Sequence, residues 1–121
     1  MSNWSRTLLG IRTLSEATVT PTINAGELGI DLNSGTVFNV SLNANITSLS
    51  ISGVQTTGAS SFTIIFSMDG TPRSITWGAS ILWPGGLPPV LTSTNGKKDV
   101  FSFVTTNGGS NWIAFVGGQD L

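Results

Sequence analysis

Few side chains in this 121-residue sequence could take part in a reaction, because it contains neither cysteine nor histidine. The commonest general base, the commonest metal ligand and zinc–thiolate sites are therefore missing. Six acidic residues remain, and a glycosidase would need two of them facing each other across a sugar. Asp31, Asp69 and Asp99 lie at the ends of strand-like segments or in turns, where aspartate usually hydrogen-bonds local backbone or sits on solvated surface. We therefore predict that the protein is not an enzyme and has no catalytic residue, metal site or cofactor.

Motifs for nucleophiles and phosphates are also missing from the sequence. No serine lies in a Gly-x-Ser-x-Gly motif, which presents the nucleophile in α/β-hydrolases. Gly108 and Gly109 precede a strand-like pattern, whereas a phosphate-binding loop opens a helix. The sequence therefore favours a function in binding or assembly over one in catalysis.

Composition narrows the possible partners. Charged residues make up 9% of the chain and the net charge is −1, whereas an average soluble protein is about 25% charged. Neither nucleic acid nor an anionic membrane would be attracted by this charge balance. The apolar runs are far shorter than the roughly 20 residues of a membrane helix, and the N-terminus lacks the apolar core of a secretory signal. We predict no nucleic-acid partner, no membrane partner and synthesis in a cytoplasm.

Apolar residues alternate with Ser, Thr and Asn along most of the chain, which is the pattern of half-buried β-strands. The clearest example runs from Phe62 to Met68. Turn-forming segments separate the alternating runs, and the last two are typical of hairpins. These turns are Asn33–Gly35, Asp69–Pro72, Asn95–Gly96 and Asn107–Gly109. About eight short strands and no helical periodicity predict an all-β protein with a single β-sandwich or jelly-roll-like domain over residues 23–121, and no repeat at solenoid spacing is present.

Two segments depart from this alternation. Residues 1–22 mix large apolar residues with polar ones, and we predict an N-terminal arm that contributes a first strand. Residues 83–89 form a loop rich in proline and glycine. Trp77 and Trp112 lie within alternating strands and are predicted to be core residues. The candidate partner-binding residues are the large apolar residues of the arm and the loop, namely Trp4, Leu8, Leu9, Ile11, Leu14, Trp83 and Leu87.

The strand faces that point away from the predicted core carry almost no charge. Monomeric proteins usually place Lys or Glu on such faces and on sheet edges to prevent pairing with other chains. Neutral faces next to an apolar arm therefore predict a chain that is covered by copies of itself or by another protein.

Five segments, in this order, resemble a β-rich module of tailed-bacteriophage structural proteins, and they spread over about four-fifths of the chain. The segments are Ile23–Leu32, Val37–Leu49, Gly70–Trp77, Trp83–Pro89 and Lys98–Trp112. Similar modules end tail-fibre-like proteins and form small head proteins. The resemblance implies a virion component, and a chain of this length has no room for a fibre shaft.

The leading hypothesis from this resemblance is a capsid decoration (cement) protein that binds the outside of the head and stabilises it. Its partners would be the major capsid protein and copies of itself, its location the virion, and its arm would reach a neighbouring subunit. The alternative is a tail-associated, receptor-binding domain that recognises host-surface glycans, with Trp83 as the exposed aromatic.

Overall fold

The computed structural model describes residues 15–121, and the regular secondary structure of this part of the chain is almost entirely β-strand. One 3-10 turn, Pro84–Gly86, interrupts it. None of the helical structure in residues 15–121 is long and apolar enough to cross a membrane. The strands are β1 (Thr18–Val19), β2 (Glu27–Asp31), β3 (Val37–Leu42), β4 (Ser48–Ser52), β5 (Ser60–Met68), β6 (Ile81–Leu82), β7 (Lys98–Thr105) and β8 (Trp112–Gly118). The prediction of an all-β fold is confirmed.

The strands form two layers, a six-stranded sheet in the order β1-β3-β5-β7-β8-β6 and a two-stranded sheet of β2 and β4. From β1 to β5 the chain alternates between the two sheets, and each strand is parallel to its predecessor in the same sheet. In this half of the sandwich-like fold the chain therefore winds between the two sheets and returns each time beside its previous strand. Thr18 lies beside Val37, and Val37 lies beside Thr63. Because the successive windings contain different numbers of residues, the sequence shows no repeat that would reveal them.

In the second half of the large sheet, β7 is antiparallel to both β5 and β8, and the edge strand β6 is parallel to β8. The Asn107–Gly109 turn joins β7 to β8 as a hairpin, as predicted. The hairpin predicted at Asn95–Gly96 is wrong: the turn forms, with Lys97 N–H donating to Thr94 C=O at 3.1 Å, but β7 pairs with β5 rather than with the preceding segment. The Asn33–Gly35 turn carries the chain from the small sheet to the large one.

The core lies between the two layers and is filled by the alternating apolar residues. Phe62 stacks on Phe103 with ring centroids 4.8 Å apart and contacts Trp112 edge-on at 5.0 Å. Trp77 and Trp112 are buried, which confirms their prediction as core residues. Aromatic pairs of this kind stabilise beyond their buried area, so the large sheet is held rigidly on its inner side.

The predicted arm contributes β1 to the edge of the large sheet. Ala17 C=O accepts hydrogen bonds from Thr36 N–H and Val37 N–H at 3.0 and 3.3 Å. Gly35 is buried beneath this segment, where an added Cβ would lie 2.6 Å from Ala17 O and 2.8 Å from Val19 Cγ2. The absence of a side chain at Gly35 therefore allows β1 to dock.

Asp99 differs from its sequence prediction. We expected it in a turn or on solvated surface, but its side chain is completely buried. Its Oδ2 accepts hydrogen bonds from Thr92 N–H at 2.9 Å and Gln119 Nε2 at 3.0 Å, and its Oδ1 accepts one from Asp120 N–H at 3.1 Å. Burial alone would raise the pKa of Asp99, but these hydrogen bonds outweigh it and hold the pKa below its ordinary value. The carboxylate ties the C-terminal residues and the segment before β7 to the sheet.

Replacing Gly35 with alanine tests the docking of β1. We expect Gly35→Ala to lower the free energy of unfolding by about 1–3 kcal/mol, because a backbone oxygen must move to admit the methyl group. Gly29→Ala is the matched control: its Cβ would meet only Ser50 Oγ at 3.6 Å, and we expect a gain of roughly 0.4–1 kcal/mol. Urea denaturation measures both, and equal effects would contradict the close approach of β1.

Asp99→Asn tests the buried carboxylate. We expect a loss of roughly 1–3 kcal/mol at neutral pH, since the amide cannot accept all three hydrogen bonds. Because the folded pKa is lowered, the contribution of Asp99 is fully present above the unfolded pKa of about 3.9 and disappears as pH falls through the folded value. The stability difference between wild type and variant, measured by urea denaturation from pH 7 to pH 2, should shrink below about pH 4. A difference that is constant with pH would exclude a charge effect.

Candidate interaction surface

The side of the six-stranded sheet that faces away from the small sheet is here called the outer face. Because side chains alternate along a strand, every inward aromatic in the core obliges its neighbours to point outward. Strand register aligns these outward residues in rows across the sheet. One row contains Ser61, Val104, Ile113 and Leu82, on β5, β7, β8 and β6 in turn. The next contains Val37, Thr63, Ser102 and Phe115.

Four outward residues form a contiguous apolar patch, defined as Leu82, Val104, Ile113 and Phe115. Leu82 lies directly beside Ile113, and Ile113 lies directly beside Val104. Phe115 follows on the same face of β8. Leu82, Ile113 and Phe115 are 49%, 47% and 50% exposed. Large apolar side chains gathered at one place on a surface mark an interaction site more reliably than scattered ones.

The rest of the outer face carries few charges. Thr63 and Ser102 share a hydrogen bond between their hydroxyl oxygens at 2.9 Å, so these polar groups are already partly satisfied. Among the strand residues of this face only Lys98 is charged, and its ammonium group donates to Ser67 Oγ at 2.9 Å. A partner that covers this face would therefore have few charges to desolvate.

A groove of about 220 Å³ crosses the outer face between β5 and β7. Phe115 lies at one side of this groove and Glu16 at the other, with Thr63, Ser102 and Val104 also contributing to it. Glu16 is fixed there because its Oε2 accepts a hydrogen bond from Thr36 Oγ1 at 2.7 Å. Glu16 thus lies on the outer face, across the groove from Phe115.

Trp83 is not the exposed aromatic that we expected. It is only 7% exposed and packs against Trp77, with ring centroids 4.9 Å apart, and against Phe101 at 5.6 Å. Trp83 continues the alternation of β6, in which Ile81 points inward and Leu82 outward. The proline that follows suggested a loop, but the side chain already belongs to the core.

A groove of about 420 Å³ lies beside Trp83, lined by Trp77, Leu82 and Pro88 among others. Trp83 Nε1 is buried and has no hydrogen-bond partner among residues 15–121. Because this nitrogen is inaccessible, a molecule in the groove could not reach it without moving the indole. Trp83 Nε1 therefore cannot serve as a directing polar group for a molecule in this groove.

The remaining predicted site residues divide into two groups. Leu87 follows the 3-10 turn and is 76% exposed, in agreement with a surface position. Trp4, Leu8, Leu9, Ile11 and Leu14 lie outside the described residues. The structure adds Leu82, Ile113 and Phe115, which sequence reasoning did not single out. The signal for Ile113 and Phe115 was present in β8, whose residues are apolar on both faces.

Asp31 and Asp69 hydrogen-bond the backbone of their own turns, as predicted from the sequence. Asp31 Oδ1 accepts a hydrogen bond from Asn33 N–H at 2.9 Å, and Asp69 Oδ1 accepts one from Thr71 N–H at 3.1 Å. Asp69 also pairs with Arg73 at 2.6 Å, and this hydrogen bond lowers the pKa of Asp69. Both carboxylates therefore stabilise local turns.

Alanine substitutions distinguish the buried from the exposed residue of the two partner-binding candidates in the loop, Trp83 and Leu87. We expect Trp83→Ala to lower the free energy of unfolding by about 3–5 kcal/mol, because it empties a large core volume. Leu87→Ala should change it by no more than about 0.5 kcal/mol. Thermal or urea denaturation gives both values, and a Trp83→Ala protein with unchanged stability would show that the indole is not part of the core.

The outer face, with its apolar patch and groove, is thus the candidate interaction surface. Comparison with known proteins finds no matching family model, no similar curated protein and no similar solved structure.

Proposed function

We propose that this protein is a non-enzymatic structural component of a bacteriophage virion, a decoration protein that binds the outside of the capsid and stabilises it together with copies of itself. The observation that carries the proposal is the outer face, where Leu82, Ile113 and Phe115 lie half-exposed on a neutral sheet. The resemblance of five sequence segments to phage structural modules is the reason for proposing a bacteriophage virion as the particle.

The composition of the outer face supports an assembly function. Interface cores are depleted of charge and enriched in aromatic residues. Phe115 stands beside apolar and hydroxyl side chains, and the nearest charge in its groove is the Glu16 carboxylate on the opposite side. A freely diffusing monomer would normally carry lysine or glutamate there. A decoration protein is covered on one side once it is bound to the capsid. Such a face therefore has to remain in contact with water only before assembly.

The rigid body supports a stabilising role. Aromatic packing and the buried Asp99 fix the sheet, so little conformational entropy is lost when its outer face docks. Each contact can be weak, because symmetry repeats it many times over a capsid. The added interfaces would resist the outward pressure of packaged DNA.

The alternative function, recognition of host-surface glycans by a tail-associated or fibre-type domain, had Trp83 as its candidate stacking residue. Trp77, Trp83 and Trp112 are all buried, so no tryptophan in residues 15–121 offers a ring face for stacking on a sugar. No observation in this part of the chain therefore favours the alternative over the decoration protein.

The direct experiment compares phage particles with and without this protein. On heating or osmotic shock, particles that lack the protein should lose infectivity under milder conditions than particles that carry it. Purified protein added back should restore their survival. Antibodies against the protein should label heads. Labelling of tails, or full survival without the protein, would contradict the proposal.

Phe115→Lys tests the surface. A charge in the middle of a desolvated interface should weaken binding to capsids roughly tenfold or more while the unfolding midpoint stays nearly unchanged, because Phe115 lies outside the core. Val90→Lys is the control, since Val90 is also an exposed apolar residue but lies outside the patch. Co-sedimentation with capsids measures both, and equal binding by the two variants would remove the outer face from the proposal.

A further inference from the structure

We propose that the free edge of β4, the side of this strand that faces away from β2, is a peptide-binding site. An extended, uncharged segment of a partner protein adds there as a third strand of the small sheet. This inference goes beyond the proposed function, because β4 lies in the other layer from the outer face. Both surfaces can therefore be occupied at the same time.

Unpaired backbone groups of β4 provide the hydrogen bonds. Ser48 N–H donates to Gly26 C=O at 3.2 Å, and the parallel register with β2 continues to Ser52. The N–H and C=O of one strand residue point to the same side, and this side alternates along the strand. Leu49 and Ile51 therefore direct their backbone groups to the free edge. These groups have no hydrogen-bond partner within residues 15–121.

A third strand of the small sheet begins next to β4 but does not continue along it. Just before β4, Ile46 makes backbone hydrogen bonds to Ser74 and Thr76, at 2.9 and 2.8 Å, in a parallel bridge. The chain then turns at Gly78, which has a φ of +91°, and enters β6 at the edge of the large sheet. No strand of residues 15–121 therefore continues along the free edge of β4.

A groove of about 210 Å³ lies along this free edge. The residues of the β7–β8 turn that line it are Gly108 and Gly109, and their lack of side chains leaves room for another backbone. Ile81 and Trp112 also line it, and both are buried core residues. Neighbouring strands lie about 4.8 Å apart, so a strand added to β4 would run within this groove.

The strand β4 lacks the features that usually prevent edge pairing. Its sequence, Ser-Leu-Ser-Ile-Ser, contains neither a charged residue nor a proline, which are common on natural edge strands. The other strand of the small sheet, β2, carries Glu27 and Asp31 at its two ends. Its outer side is also partly occupied, because Asn24 and Glu27 exchange backbone hydrogen bonds at 2.9 Å. Of the two edges of the small sheet, β4 is thus the one open to a further strand.

The lining of the groove determines the chemistry of the occupant. Strand addition takes its affinity from main-chain hydrogen bonds and its specificity from the sites that receive alternate side chains. Alternate side chains of an added strand would meet Ile81 and Trp112, which favours apolar residues at those positions. No charged residue lines the groove, so a charged peptide would lose hydration without gaining a partner.

A second copy of this chain does not fit the site through its own β4. The large sheet continues past the free edge, as the positions of Ile81 on β6 and Trp112 on β8 show. A second β4 with its apolar side chains turned to the same core would bring its own large sheet into the layer that this sheet occupies. A narrow, extended segment avoids this overlap.

Selection from a random library of short, capped peptides on the full-length protein tests the inference. We expect enrichment of uncharged peptides with apolar residues at alternate positions. Ser80 is exposed and lines the groove, so Ser80→Trp should fill it and weaken binding of the enriched peptides roughly tenfold or more. Ser93→Trp is the control, since Ser93 is also exposed but does not line the groove, and it should leave binding unchanged.

Methylated peptides and amide exchange identify the binding mode on the wild-type chain, independently of how the variants fold. Methyl groups on one alternate set of peptide nitrogens should abolish binding, whereas methyl groups on the other set should not, because only one set faces β4. Bound peptide should slow hydrogen exchange of the Leu49 and Ile51 amides several-fold, as measured by NMR, and leave that of Ser50 unchanged.

Three results would overturn the inference: no enriched peptide, equal tolerance of both methylated sets, or slowed exchange only at residues outside β4. No capsid enters these measurements, so their outcome is separate from that of the proposed function.

Discussion

The alternation of side chains along a β-strand is the constraint on which this structure depends. A strand that sends Phe62, Ile64 and Phe66 into a core must send its intervening residues outward. In most monomers those positions are charged. Here the outward positions carry hydroxyls and, on β8 and β6, large apolar groups, so the geometry that builds the core also builds an apolar surface. The apolar patch on the outer face is a consequence of the same register that packs the aromatic residues.

The alternation predicted from the sequence which residues are buried, and it predicted the all-β class. It did not predict which strands are neighbours. Turn chemistry is local, and the Asn95–Gly96 turn has the same residues whether or not the flanking segments pair with each other. The parallel pairing of alternate strands from β1 to β5 depends on contacts between strands that are distant in sequence. The windings of the chain differ in length, so they leave no periodic signal in the sequence. The hairpin at Asn107–Gly109 was predictable because its strands are both adjacent and long.

The site was predictable in part, for a related reason. Trp83 was assigned to the surface because Pro84 follows it, yet period two from Ile81 places its indole inside. Asp99 was expected to bind local backbone or to lie on solvated surface because it stands at the end of a strand-like segment, yet donors from two other segments satisfy its carboxylate in the interior. No local pattern reveals donors that arrive from residues 92, 119 and 120. Ile113 and Phe115 could have been found from the sequence of β8, whose two faces are both apolar, whereas Leu82 joins them only because β6 pairs with β8.

The central claim is that the outer face of the six-stranded sheet is the surface through which this protein joins its assembly. A cryo-electron-microscopy map of the virion, with the body of residues 15–121 fitted as a rigid unit, tests it most directly. The account predicts density on the outside of the head, with the outer face turned toward the capsid or a neighbouring copy and Phe115 inside the contact. A body whose outer face points to solvent while the small sheet makes the contact would contradict it.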